Sequence, residues 1–326
     1  MTCLEDYVGI QGCSATTPDS GKYVNDLPGI QLKDIDEIAN DEQLNYNGVW
    51  TEVQARAIAR FRTDFISRYS KKYKLKQVQK TIDFGRKIDA ATTTVAAAKY
   101  RGFTIELDHE EDQYVNSNLQ AIYVQSVAIY LSGSFNFNIK IIDLDTETVL
   151  KTLAVTGVSG WNLKNINETY LSKRILIAYD ATLVTGVELD ISDFKLSNYC
   201  NCSGELHGVQ TASLADLTTT EGDSTFGLTG IFSIRCTFDN VVCNNKELFA
   251  RAWQFCLGYE LMIERLFSSR VNRWVITDHK KSLELRDYFF KEYESELDLI
   301  VDTVNLNLND SCIDCNEDIR FISSTA

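Results

Sequence analysis

The hydrophobic period changes twice along this chain, and that change limits the folds open to it. Trp50, Val53, Ala57, Phe61 and Phe65 recur at steps of three and four, an apolar stripe of helical period. After about residue 84 the period falls to two. Leu119, Tyr123, Val127, Ile129 and Leu131 share one parity, and Phe135, Phe137, Ile139 and Ile141 alternate with polar residues ahead of the turn sequence DLDTET. WNLKNINETY and KRILIAYD follow at strand spacing. From Lys246 the helical period returns, first as Phe249, Trp253, Cys256, Leu257 and Leu261, with Asn244 or Asn245 as N-cap. It continues from about Lys280 to Val304 as Leu285, Phe289, Tyr293, Leu297 and Ile300, with Thr277 or Asp278 as cap.

This order predicts an α+β protein in which an antiparallel β-sandwich is inserted into a helical domain. The expected boundaries are an extended N-terminal arm over 1–32, a helical domain from 33–85 plus 245–326, a sandwich over 86–196, and a cysteine-containing connecting loop and strand region over 197–244, with GIFSIRCTF as its strand. A short helix is expected within 33–43. A chain of 326 residues has room for about two such domains.

The arm poses its own question. The chain has two prolines, and one of them forms the turn signal Pro28-Gly29 inside SGKYVNDLPGI, residues 20–30. Tyr23, Val24, Leu27 and Ile30 around it are apolar and must pack against either the chain's own body or a neighbour.

No apolar run approaches the roughly 20 residues needed to span a bilayer, so no membrane partner is expected. MTCLEDYVGI has neither a basic n-region nor an apolar h-region, which argues against a signal peptide. The nine cysteines are then expected as thiols or metal ligands rather than disulfides. The net charge is −14, yet residues 56–87 hold eleven basic residues against two acidic ones. Such a block suits contact with an acidic face of another copy, or else a solvated helix end.

Signals for catalysis are weak. His109, His207 and His279 are far apart, and there is no HExxH, GxSxG or phosphate-cradling glycine loop. Glu110 and Glu111 in LDHEEDQ read as a solvated turn and lack EF-hand spacing. Cys312 and Cys315 form a CxxC and Cys200 and Cys202 a CxC, weak candidates for a structural zinc site, with Cys236 and Cys243 as an alternative set. Cys256 lies on a helix stripe and reads as a small core residue. Tyr69 and Tyr73 among lysines offer an aromatic and cationic surface for loose nucleic-acid contact, although the acidic chain argues against a dedicated binder. Trp161, Tyr170 and Tyr179 on strands are candidate sugar-stacking residues. No cofactor is expected.

The stretches IQGC (10–13), SGKYVNDLPGI (20–30), VWTEVQARAIARFRTDF (49–65) and NKELFARAWQFCLGYELMIERLFSSRVNRW (245–274), with the closing CxxC, resemble a family of virion structural proteins from crAss-like phages and related phages of Bacteroidetes. Lys22 departs from the apolar residue expected there. The resemblance implies a non-enzymatic component of the head-to-tail region, assembled in the bacterial host cytoplasm. There it forms a homo-oligomeric ring around the DNA channel, next to a portal, an adjacent ring or tail proteins, with non-specific DNA passing through. It makes Tyr23, Asn25, Asp26, Leu27, Pro28 and Gly29 of the arm, and Arg60, Arg68, Lys71 and Lys72 of the basic helix, the expected contacts between copies. Two other readings stand beside it: a carbohydrate-binding or fibre-anchoring collar protein that uses the sandwich, and a metal-dependent enzyme that uses the cysteines or LDHEED.

Overall fold

In the computed structural model the chain forms two units, each assembled from segments distant in sequence. Met1–Lys74 and Phe238–Asn307 make the helical unit, and Leu75–Thr237 with Leu308–Ala326 make the β unit. The structure describes residues 1–12, 17–75, 81–84, 100–107, 119–184, 195–196, 204–211, 220–222, 227–268, 279–306 and 312–313. Among these, no helix is long and apolar enough to cross a membrane.

The helical unit holds α1 (Leu32–Ile38), α2 (Tyr46–Lys72), α3 (Asp239–Asn244), α4 (Lys246–Phe267) and α5 (His279–Thr303). Asn45 caps α2, its side chain accepting from the backbone N–H of Asn47 and Gly48. The buried stripe of α2 runs through Val49, Val53, Ala57, Phe61, Phe65 and Tyr69. Trp50, expected on it, is half-buried, because Val49 takes the inward position. The aromatic stripes of three helices meet in one core. Phe61 packs edge-on against Trp253 with ring centres 5.7 Å apart, and Phe65 against Phe249 at 5.4 Å. Tyr293 of α5 is fully buried beside Phe61 and donates from its hydroxyl to Asp64. Asn245 does precede α4, but its amide turns back to donate to the Val241 carbonyl of α3. The expected caps Thr277 and Asp278 lie outside the described residues.

The β unit has β1 (Thr81–Phe84), β2 (Tyr100–Glu106), β3 (Gln120–Leu131), β4 (Phe135–Asp143), β5 (Thr148–Gly157), β6 (Gly160–Tyr170), β7 (Arg174–Asp180), β8 (Lys195–Leu196), β9 (Gly204–Thr211), β10 (Thr220–Gly222) and β11 (Leu228–Cys236). Four strands form a sheet in the order β1-β11-β3-β6. Seven form another in the order β10-β9-β2-β7-β4-β5, with β8 beside β9. All the pairings are antiparallel. Ile122, Val127 and Phe232 from the first sheet share a core with Phe103, Ile139 and Ile177 from the second, which makes a sandwich. The β4–β5 hairpin turns at the expected DLDTET, where Asp143 accepts from the backbone of Asp145 and Thr146.

Two expectations need correction. The strand expected in GIFSIRCTF forms as β11, but it lies between β1 and β3 within a sheet rather than in a connecting region, so the sandwich continues to Thr237. Nor do the cysteines all remain thiols. Cys3 is bonded to Cys243, and Cys236 to Cys312. These pairs lie 240 and 76 residues apart in sequence, so local spacing carried no sign of them.

Candidate functional site

The stretch 20–30 closes on itself before it packs. Gly9 donates to the Lys22 carbonyl and Val24 to the Gly9 carbonyl, so residues 9 and 23 pair like two short strands. The Gln11 N–H donates to the Asn25 side chain, and the Tyr23 N–H to Asp26. Pro28-Gly29 makes the expected turn: Ile30 N–H donates to Leu27 O at 3.4 Å, and Gly29 has φ of 78°. Proline at the second position and a left-handed glycine at the third suit a type II turn. A Cβ on Gly29 would stand 2.5 Å from Leu285 Cδ1 on α5, so a side chain there would meet a left-handed backbone and force Leu285 to shift.

This turn drives Leu27, 6 % exposed, into a notch on α4. The notch exists because position 258 is glycine. A Cβ there would lie 2.5 Å from Leu27 Cδ1 and 3.2 Å from Phe289 Cδ2 of α5. One turn earlier on α4, the buried Gln254 amide donates to the Tyr23 carbonyl at 2.7 Å. The arm therefore seats on its own helical unit through Leu27, rather than holding that side chain out for a neighbour. Asp26, Pro28 and Gly29 remain exposed, and Tyr23 and Asn25 are half-buried.

The basic helix is likewise engaged within the chain. Glu260 of α4, 3 % exposed, receives Arg60 at 2.5 Å and lies 3.5 Å from Arg56, which also reaches Glu264 at 2.6 Å. Arg62 pairs with Asp239 at 3.2 Å, and Arg68 is held by Glu294 and Asp298 of α5. Burial works against the charge on Arg60, but the hydrogen bond and the charge of Glu260 outweigh it and raise its pKa. Arg68 behaves in the same way toward Glu294 and Asp298. Lys72 donates to the Val301 and Asp302 carbonyls at the C-terminal end of α5, where a cation suits the helix dipole. Of the four basic residues expected at an interface, Lys71 alone is exposed with no partner recorded among the described residues. The block reads as a seam that fastens α2 to α4 and α5.

The remaining site expectations resolve as follows. Tyr69 and Tyr73 are buried and present no stacking surface. Tyr69 donates to the Val304 carbonyl. Cys312 has no thiolate to offer a metal, nor do Cys236 and Cys243, because all three are in disulfides. Cys200, Cys202, Cys315, His109, Glu110 and Glu111 lie outside the described residues. Among the described residues there is no group of three metal-ligating side chains. Burial, and next the charge of Glu260, raise the pKa of the Cys256 thiol, which donates to the Ala57 carbonyl as an inert core group. Tyr170 and Tyr179 are sandwich core residues, whereas Trp161 is 43 % exposed.

Gly258, Gln254 and Glu260 were missed in the sequence. Gly258 alone carried a signal, as an isolated glycine inside an otherwise apolar helix. A scan against protein-family models and a search of curated protein sequences each return no match for this chain.

Proposed function

We propose that this chain is a non-enzymatic virion structural protein, a ring or connector component of a phage head-to-tail region. One observation supports the reading. Three of the stretches that carry the family resemblance, 20–30, 49–65 and 245–274, lie up to about 180 residues apart, yet their described parts pack against one another in the helical unit. Leu27 fills the Gly258 notch, Phe61 meets Trp253, and Arg60 meets Glu260. These three stretches thus belong to a single structural body, into which the sandwich is inserted.

A ring joins one face of a subunit to a different face of the next. Because the arginines of α2 and the Leu27 side chain are engaged internally, the contacts between copies fall to exposed groups: the Asp26-Pro28-Gly29 turn and Lys71. The net charge of −14 favours a channel lining that DNA slides past without adhering. Electron microscopy and mass measurement on the purified full chain test the proposal. Closed rings of identical copies are expected. A monomer at every concentration, which also stays monomeric beside the purified portal of the same virion, overturns it.

A further inference from the structure

The outer face of the four-stranded sheet carries a groove of about 430 Å³. Its shape follows from side-chain size. The central strand β3 contributes Ser126 and Ala128 as a low floor. Trp161 and Leu163 of β6 form one wall, and Thr229 and Ile231 of β11 the other.

A bulge puts Ser126 there. Ile122 and Val124 face the core, and strict alternation would send residue 126 inward after them. Opposite β11, however, β3 has an extra residue, Gln125, between the pairs Val124–Phe232 and Ser126–Ile231. The parity flips, Val127 and Ile129 take over the core, and Ser126 turns outward. On β6 the matching irregularity is absorbed at Asn167, with φ of 53°, a conformation that asparagine tolerates better than most residues. The Ser126 side chain is consequently buried, with the residue 4 % exposed, and no hydrogen bond to its hydroxyl is recorded among the described residues. Its hydroxyl lines the floor of the groove, where a ligand hydroxyl can pair with it.

Trp161 supplies the second element. Its ring packs edge-on against Tyr130 at 5.4 Å and 78°, which fixes its orientation, yet it is 43 % exposed. Among the described residues the groove lining carries no charged side chain, which disfavours phosphate-bearing and other ionic ligands. The backbone of the floor is already paired on both sides, with β6 and with β11, so an extended peptide finds no free ladder there. What fits is a neutral molecule with a flat apolar face for the indole and a hydroxyl for Ser126. We infer that this groove is a saccharide-binding site in which a neutral pyranose ring lies against Trp161 and hydrogen-bonds Ser126. The inference is independent of whether the helical unit assembles into rings.

The test is a binding screen of the full chain against neutral gluco-, manno-, galacto- and N-acetylglucosamine oligosaccharides, followed by calorimetry on the best binder. Saturable binding by at least one probe is expected. Trp161→Ala should weaken it at least tenfold, and Ser126→Ala by about two- to tenfold, the range of one hydrogen bond. Leu163→Arg, at a wall position 62 % exposed and therefore tolerant in folding, should block the groove and abolish binding. Binding by none of the probes, or binding that survives both Trp161→Ala and Leu163→Arg in folded protein, overturns the inference. Capture of a peptide at this groove without any saccharide binding overturns it as well.

Discussion

If Leu27 seats the arm because position 258 lacks a side chain, substitutions at the two sites must be coupled. Leu27→Ala removes a buried side chain and leaves the notch empty, an expected loss of about 2–5 kcal/mol. Gly258→Ala in the native background has opposing effects. It gains about 1 kcal/mol of helix propensity. It also places a methyl 2.5 Å from Leu27 Cδ1 and 3.2 Å from Phe289 Cδ2, an overpacking that costs about 1–3 kcal/mol. The net is a loss of up to about 2 kcal/mol. Once Leu27 is alanine, the nearer obstruction is gone and the same glycine replacement should be neutral or stabilising by about 1 kcal/mol. The cycle therefore predicts a coupling of about 1–3 kcal/mol, well above the roughly 0.5 kcal/mol within which independent sites add. Urea denaturation followed by far-ultraviolet circular dichroism reads the helical unit directly. Additive losses, within that error, would show that the arm does not sit in the Gly258 notch and would refute the reasoning.

Two further outcomes are expected. Replacing Cys236 and Cys312 together by serine should destabilise the β unit by about 2–4 kcal/mol, and reduction of the native protein, which also breaks Cys3–Cys243, should cost at least as much; a non-reducing peptide map that finds these two sulfurs alkylatable counts against the pairing. Stability should also fall in alkali. Burial, first of all, raises the folded-state pKa of Tyr69, Tyr170 and Tyr293 above the ordinary value of 10.0. A pKa raised on folding means that the folded state holds the proton more tightly, so the contribution is complete below pH 10 and is lost as pH climbs from there. Denaturation midpoints across pH 8 to 12 check this, and the idea fails if ultraviolet titration shows all three phenols ionising at their ordinary value in folded protein.

The helices and most of the strands were legible because their signal is local. Phe61 and Phe65 needed only a period of 3.6, and Phe137, Ile139 and Ile141 only a period of two, to announce which way they face. The partners of the arginines were not legible. Arg60 meets Glu260 across 200 residues of sequence, and Arg68 meets Glu294 across 226. Seen along the sequence, the block looked like a basic surface awaiting a partner. Only when α4 and α5 bring their carboxylates alongside does it become an internal seam, and this is why a charge asymmetry alone does not identify an interface. The disulfides were hidden for the same reason: Cys3 meets Cys243 across 240 residues and Cys236 meets Cys312 across 76.

The arm and the groove show a subtler limit. SGKYVNDLPGI announced a turn and a need for burial, but its seat is defined by a missing side chain on a distant helix. On β3, alternation alone assigned Tyr123 to the same face as Val127. The bulge at Gln125 breaks that parity: Tyr123 leaves the core, lies under the Arg235 guanidinium 3.3 Å from its ring centre, and donates to Asn167. Ser126 moves to the outer face by the same step. One inserted residue thus both removes an aromatic from the predicted core and exposes a hydroxyl to the Trp161 groove. Deleting Gln125 would restore strict alternation, turn Ser126 toward Phe232 and Ile122, and remove the polar group from the groove. The sequence gives no sign of this because Gln125 is as ordinary in an unbroken strand as in a bulge, and the irregularity becomes evident only in the pairing with β11.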